Sequence, residues 1–405
     1  MKLLFLLFCA MINLLRLGGK NMSVELKHFK DEFIQSLKVA DRIFIVGHNE
    51  PDFDAIGSAI GVQSIATTLE KEAYIIVNDN ALTLEPGVKK IIEENKEKYH
   101  IITLEEAKKL MEESSEDAKK AKSLLVVVDN NKDYRISPKD MLGDFNEIIV
   151  IDHHEPDAHS ITSTNSYINT DVSSTSEIIA SIIISERLKM EPKVASYLLA
   201  GICLDTKRFK QNTSPKTHDI AEKLLNRGAD SDYVNELFRE EFESFCKINS
   251  LIINGTIFKK YAEETLVPQQ VSFTINREAP TTIYRREEIA KAADRMLKFD
   301  VDAAFVMGYN RDGNVLISAR SLKKPQVSLP LIGQIEAGTI LQKLDENHCG
   351  GNAFSAGGEI PLITENFKSI FEIEEALMSI VEDELNSKAQ PYERKKVLKF
   401  ERKKF

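Results

Sequence analysis

The stretch IVGHNEPDFDAIGSAIG, beginning at Ile45, places His48, Asp52 and Asp54 within seven residues directly after an apolar run. Carboxylates this close repel one another and resist desolvation, so something must hold them together. Taken alone, the stretch reads as a solvated loop whose Asp caps the next helix. It does not stand alone. The apolar run SLLVVVD ends at Asp129, EIIVIDHH ends at Asp152, His153 and His154, and the helix-like YLLAGICLD ends at Asp205. In an open parallel sheet the carboxyl ends of the strands share one crevice, so the fold would gather these residues at one edge. His48 and Asp52 could then serve one divalent ion, Asp54, His153 and Asp205 a second, and Asp129 could bridge both. Two ions about 4 Å apart activate water and clamp a phosphoryl group for in-line displacement. A mixed imidazole and carboxylate shell favours two Mn2+, with Mg2+ or Co2+ as substitutes. Without cations the same carboxylates would strongly destabilise the fold.

The elements that must position these residues are legible as alternation. β-branched runs at Arg42–His48, Ala73–Asp79, Ser123–Asp129 and Glu147–His154 are separated by helical patterns, which predicts an α/β fold with a parallel sheet and helices on both faces. A long helical region around DSDYVNELFREEFESFCKINSLI reads as a connector. From about Leu266 the texture becomes strand-like, with Asp312-Gly313 as a hairpin turn. The domain reading is therefore a stub or leader at 1–21, a catalytic domain at 22–232, a helical connector at 233–260, a smaller α+β domain at 261–388 and a frayed basic tail at 389–405.

Composition narrows the classes. The 405 residues suffice for two or three domains, and a formal net charge of −10 argues against a non-specific nucleic-acid coat, so duplex DNA is not an expected partner. It leaves room for a small anionic substrate, because bound cations invert the local field. The four cysteines, Cys9, Cys203, Cys246 and Cys349, follow no zinc spacing, which fits free thiols in a reducing, cytoplasmic compartment. The apolar residues 3–15 are too few to span a bilayer comfortably. They read either as a weak membrane-associating stub or as a leader outside the folded domain.

GHNEPDFDAIGSAIG, VVVD, VIDHH, SSTSEI and AGICLDTKRF, in that order, resemble the successive motifs of the DHH phosphoesterase superfamily. The Gly-rich segment near the C-terminus is similar to the nucleotide-binding domain usually fused behind the DHH domain. The wording lies nearest the catalytic module of bacterial cyclic-di-AMP phosphodiesterases, through TSEIIASI, LDTKRFKQNTSPKTHDIAEKLLNRGAD and REEIAKAADRMLKFDVDAAFVMGYNRDGNVLISARS. The resemblance implies the same metal assignment, with Asp152 orienting the ligating His153 and His154 contacting the scissile phosphate or the leaving oxygen. It implies that Ser318 and Arg320 in ISARS, Gly350, Gly351 and Asn352, and Lys207 in LDTKRF hold the substrate. It points to a homodimer.

Several positions depart from the family pattern. Asn352 stands where a His is usual and cannot carry its charge. The Gly run is shortened to NHCGGN, Asn212 replaces an Arg with Lys210 and Lys216 as substitutes, and NNKDYR follows Asp129. These changes concern substrate choice. The resulting expectation is a soluble, stand-alone, manganese-dependent phosphodiesterase acting on cyclic di-AMP, linear pApA or both through a two-metal-activated hydroxide. The enzyme alternative is a nanoRNA oligoribonuclease that also removes the 3′-phosphate of 3′-phosphoadenosine 5′-phosphate. A family pyrophosphatase is disfavoured by the Gly-rich segment. The alternative of another class is a non-catalytic cyclic-dinucleotide sensor.

Overall fold

The computed structural model describes residues 24–78, 84–112, 122–137, 139–262, 269–277, 282–299, 301–322, 335–362, 367–388 and 400–404. The stub at 1–21 and residues 389–399 of the tail lie outside them. The chain forms two compact units, Met1–Arg239 and Glu240–Phe405.

In the first unit the strands β1 (Arg42–Val46), β2 (Ala73–Val77), β3 (Ile101–Thr103), β4 (Ser123–Val128), β5 (Glu147–Asp152) and β6 (Asn165–Ile168) form a six-stranded sheet in the order β3-β2-β1-β4-β5-β6. Every pairing in it is parallel. The central strands are apolar throughout because both faces are covered. Ile43 and Ile45 of β1, with Leu124, Val126 and Val128 of β4, pack into one core beneath α2 (Phe53–Thr68), α5 (Thr175–Ser185) and α6 (Pro192–Asp205). Phe44, Val46, Leu125 and Val127 point the opposite way, into a second core with Ala107 and Phe145. Helices α1 (Val24–Val39), α3 (Pro86–Asn95), α4 (Leu104–Glu112), α7 (Pro215–Asn226) and α8 (Ser231–Leu237) complete the unit.

The strand order reverses between β1 and β4, since β2 and β3 continue from one side and β5 and β6 from the other. Such a switch point opens a crevice at the carboxyl ends, where His48 and Asp129 emerge. Helices α2 and α6 approach closely over this crevice. A Cβ built on Gly57 would stand 2.6 Å from the Tyr197 carbonyl, and one on Gly61 3.0 Å from Leu198 of α6 and 2.7 Å from Ile179 of α5. Only glycine permits that distance.

The second unit is a seven-stranded sheet, β11-β12-β10-β9-β8-β7-β13, from β7 (Thr256–Ala262), β8 (Gln269–Arg277), β9 (Ala303–Tyr309), β10 (Val315–Ser321), β11 (Cys349–Asn352), β12 (Ser355–Ile360) and β13 (Phe400–Lys404). All its pairs are antiparallel except β8 with β9. Phe305 and Met307 face α11 (Ala337–Leu344) and α12 (Ile370–Lys388), while Val306 faces α9 (Phe242–Ile253) and α10 (Arg286–Met296). The hairpin turn at Asp312-Gly313 is present, with Gly313 at φ +79° and Asn310 Oδ1 accepting the N–H groups of Asp312 and Asn314.

Two expectations differ from this architecture. The connector is not helical to residue 260: α8 and α9 are separate, and Thr256–Ala262 is a strand whose β-branched and aromatic residues pair with β8. The last residues are not frayed, because Phe400–Lys404 pairs with the free edge of β7. Among the described residues no helix is long and apolar enough to cross a membrane.

Candidate metal centre

β1 delivers His48 through Gly47, whose backbone lies so near α2 that a Cβ there would be 2.9 Å from that of Ala55. Asp52 caps α2: its Oδ1 accepts the N–H groups of Asp54 and Ala55 at 2.9 and 3.1 Å. Capping and charge clustering coexist here, because the second oxygen, Oδ2, lies 3.6 Å from His48 Nε2. Although burial opposes it, the nearby His48 imidazole and the N–H groups of Ala55 and Asp54 hold the Asp52 carboxyl well below the usual carboxylate range.

Asp54 is fully buried, and its oxygens accept the first-turn N–H groups of α5, from Thr175 at 2.7 Å and Ser176 at 2.8 Å. A helix N-terminus is a natural seat for an anion. Asp129, just past β4, takes the left-handed conformation at φ +56° and donates its N–H to the Ile151 carbonyl at 3.0 Å. Asp is among the few side chains that tolerate this region. The bend aims its two oxygens at two different imidazoles. Oδ2 lies 3.7 Å from His48 Nε2, and Oδ1 lies 3.5 Å from His153 Nε2. His153 Nε2 is also 3.6 Å from Asp205 Oδ2 and 3.9 Å from Asp54 Oδ2.

These separations exceed hydrogen-bond length. Two of the atoms, His153 Nε2 and Asp205 Oδ2, are buried with no hydrogen-bond partner. Interiors rarely tolerate that. The donor atoms of His48, Asp52 and Asp129 lie within 4.8 Å of one another, as do those of Asp54, His153 and Asp205. Ligand atoms about 2.1 Å from a shared cation stand roughly 3.0–3.5 Å apart, so both sets fit a divalent ion with little adjustment. Burial, then the charges of Asp54 and Asp52, push the carboxyls of Asp129 and Asp205 well above the usual range. Burial pushes the His153 imidazole down towards its neutral, ligating form. A cation reverses the carboxylate penalty.

Asp152 departs from its expected part. Its Oδ1 accepts the main-chain N–H of His153 at 2.7 Å, but the ring it holds is that of His154, with Nδ1 2.8 Å away. The turn after β5 carries the His153 ring outward towards Asp129, beyond reach of its own neighbour. His154 is half-exposed, and although burial opposes it, the Asp152 hydrogen bond raises the pKa of the imidazole.

In the second unit, the Arg320 guanidinium donates to Ser318 Oγ at 2.9 Å and to Asp294 Oδ1 at 3.1 Å, next to the β11–β12 hairpin. Gly350 and Gly351 are exposed on that hairpin, and Gly351 has φ +145°. Asn352 Oδ1 accepts the N–H groups of Phe354 and Ser355, both at 2.9 Å, and so folds back on its own turn. His348 Nδ1 is paired with Asp345 at 2.9 Å. Lys207, in the first unit, opens a left-handed run with Arg208 and Phe209 just beyond Asp205. Sequence reasoning assigned no part to Thr175, Ser176 or Asn131. The first two lay in the quoted SSTSEI motif, and a Ser/Thr cluster before a helix signals an anion-accepting N-terminus.

A family model described as "DHH family, N-terminal domain" matches residues 42–202, which include all these site residues of the first unit except Asp205 and Lys207. Residues 42–202 thus match a DHH-family N-terminal domain. Among curated relatives of the chain, the cyclic-di-AMP phosphodiesterase PdeA of Listeria monocytogenes is 31% identical, covering 85% of this chain and 48% of that one. A membrane protein–large ribosomal subunit bL9 fusion protein of onion yellows phytoplasma is 29% identical, covering 88% of this chain and 40% of that one. The chain thus spans about half the length, or less, of these relatives. Its fold is similar to that of an exopolyphosphatase-related protein from Bacteroides fragilis, with a TM-score of 0.62 at 19% identity over 87% of this chain and 96% of that one.

Proposed function

We propose that this protein is a manganese-dependent phosphodiesterase for small adenine dinucleotides, cyclic di-AMP, linear pApA or both. The observation that carries the reading is the pair of donor sets joined by Asp129, with His153 Nε2 and Asp205 Oδ2 of the second set buried and unpartnered. His48, Asp52 and Asp129 would hold one ion, and Asp54, His153 and Asp205, with Asp129 shared, the other. Bound there, two divalent ions supply a water of lowered pKa and positive charge against the phosphoryl oxygens. The protein's own residues do the rest. Thr175, through its hydroxyl 3.3 Å from Asp129 Oδ1, keeps that carboxylate in place. His154, its Nδ1 held by Asp152, serves the leaving oxygen through Nε2. A water oxygen bonds to phosphorus as the ribose P–O bond breaks. The electron pair stays on the ribose oxygen, which takes the proton of the imidazolium, and the proton released by water returns to the imidazole through solvent. Lys207 in the first unit and, separately, Ser318, Arg320 and the Gly350–Asn352 hairpin in the second are the proposed nucleotide contacts.

Rates on cyclic di-AMP, pApA, short RNA and 3′-phosphoadenosine 5′-phosphate, each with Mn2+ and Mg2+, test this. The reading expects turnover of one or both dinucleotides to exceed the other two at least about tenfold, with Mn2+ ahead. Short RNA and 3′-phosphoadenosine 5′-phosphate ahead would establish the oligoribonuclease alternative, and binding without hydrolysis the sensor.

A second test needs no turnover. Mn2+ at a concentration a hundredfold above its Kd at pH 7.5 should stabilise metal-stripped protein by about 2.7 kcal/mol per ion there, and the same concentration should stabilise it less near pH 5.5. Asp129 and Asp205 have folded-state pKa values raised above their unfolded ones. The metal-free fold therefore loses stability as pH rises from the ordinary carboxylate range through those raised values. Metal displaces the same protons, so its benefit grows with pH. Thermal unfolding with and without Mn2+ at both pH values reads it. A shift that does not depend on pH would count against ligation by these carboxylates.

A further inference from the structure

We propose that Asn131 is a positioning residue for His154, acting through Asp152; the inference rests on the phosphodiesterase reading above. Asn131 is 1% exposed, two residues beyond Asp129. Its Nδ2 donates to Asp152 Oδ2 at 2.7 Å and to the His154 carbonyl at 2.9 Å, and so grips both ends of the Asp152–His154 turn. Its own carbonyl accepts the Ile161 N–H at 2.8 Å, which anchors the loop that carries it. The amide can sit only one way round, because the reverse would set Oδ1 against the Asp152 carboxylate. In that orientation Oδ1 is buried with no hydrogen-bond partner. A buried amide that leaves its acceptor unused is kept for its donor.

What the donor does follows from the Asp152 hydrogen bonds. Asp152 is fully buried. Its Oδ1 takes the N–H groups of His153 and His154 and the His154 ring Nδ1, and its Oδ2 takes Asn131. Without Asn131, Oδ2 and the His154 carbonyl would lose the donor that ties them together, and the carboxylate could turn away from the His154 ring. A carboxylate turned away no longer holds His154 Nδ1, and the ring leaves the leaving oxygen's line. Asn131 belongs to the segment NNKDYR, which departs from the family's usual continuation.

The test compares wild type, Asn131→Leu, Asn131→Asp and His154→Gln on pApA and on the 4-nitrophenyl ester of adenosine 5′-phosphate, both with Mn2+. Nitrophenolate departs without a proton, whereas a ribose oxygen needs one. Both Asn131 variants should lose about 30–100-fold in kcat on pApA with KM within about threefold, and less than about fivefold on the activated ester. His154→Gln should show the same split. The isosteric Asn131→Asp variant carries the test if Asn131→Leu does not fold. Equal losses on both esters, or none on either, would overturn the inference while leaving the phosphodiesterase reading intact. A wild type inactive on both would remove the reading and the inference together.

Discussion

Replacing Asp129 with asparagine is expected to abolish turnover, by at least about 10³-fold, while making the metal-free protein more stable. The two effects have one origin. Asp129 is 2% exposed, and burial followed by the charges of Asp54, Asp52 and Asp205 raises its pKa. Without cations it is a repelled, desolvated charge, and removing it relieves about 1–2 kcal/mol. That corresponds to about 2–8 °C in the unfolding of a unit of this size. Asparagine suits the position because it tolerates the left-handed backbone at φ +56°, which alanine does not favour. Asp129→Ala should abolish turnover equally but recover less stability. With Mn2+ present the order reverses, since the variant has lost the oxygens that reach towards both imidazoles. Unfolding curves with and without Mn2+, beside rates on pApA, read all of this. A variant that keeps full activity would contradict any role for Asp129 between two ions.

The uneven legibility of the molecule follows from how far along the chain each cause acts. β1 and β4 were readable because burial on two faces makes them apolar throughout. The residues after them were readable because polar groups at strand ends need a reason. β3, with three residues, and β6, with four, carry too little pattern to be seen, and they form the sheet edges. The strand at Thr256–Ala262 hid behind a helix that ends only at Ile253. Side-chain partnerships were less legible still. That Asp152 would hold the ring of His154 rather than that of His153 depends on one turn's geometry, which spacing does not encode. Asn131 was visible only as a departure from a motif, and its partners lie 21 and 23 residues further along.

Gly201→Ala should be the most damaging single-methyl change among the site's supports. In a helix interior the substitution ordinarily stabilises by up to about 1 kcal/mol, so an open site would show a gain. Gly201, on α6, has no such room: an added Cβ would collide with the Ser176 hydroxyl and lie 2.7 Å from Asp54 Oδ1. Ser176 cannot retreat freely, because its N–H holds Asp54 and its Oγ lies 3.2 Å from the Ser58 hydroxyl on α2. The methyl must therefore push α6 away from α2 and α5, or push Asp54 off the helix N-terminus. Either movement separates Asp54 from His153 and Asp205, the latter four residues further along α6. Overpacking of this kind destabilises by about 1–3 kcal/mol, and displacement by about 1 Å at a reacting centre lowers rate about 10²-fold. Both losses should appear together, with weaker Mn2+ stabilisation of the fold. The control is Gly350→Ala in the second unit, where nothing lies within 4 Å of the new methyl, so the fold's stability should be unchanged. If Gly201→Ala melts no lower than wild type and binds Mn2+ as tightly, then the close approach of α6 does not set the position of Asp54.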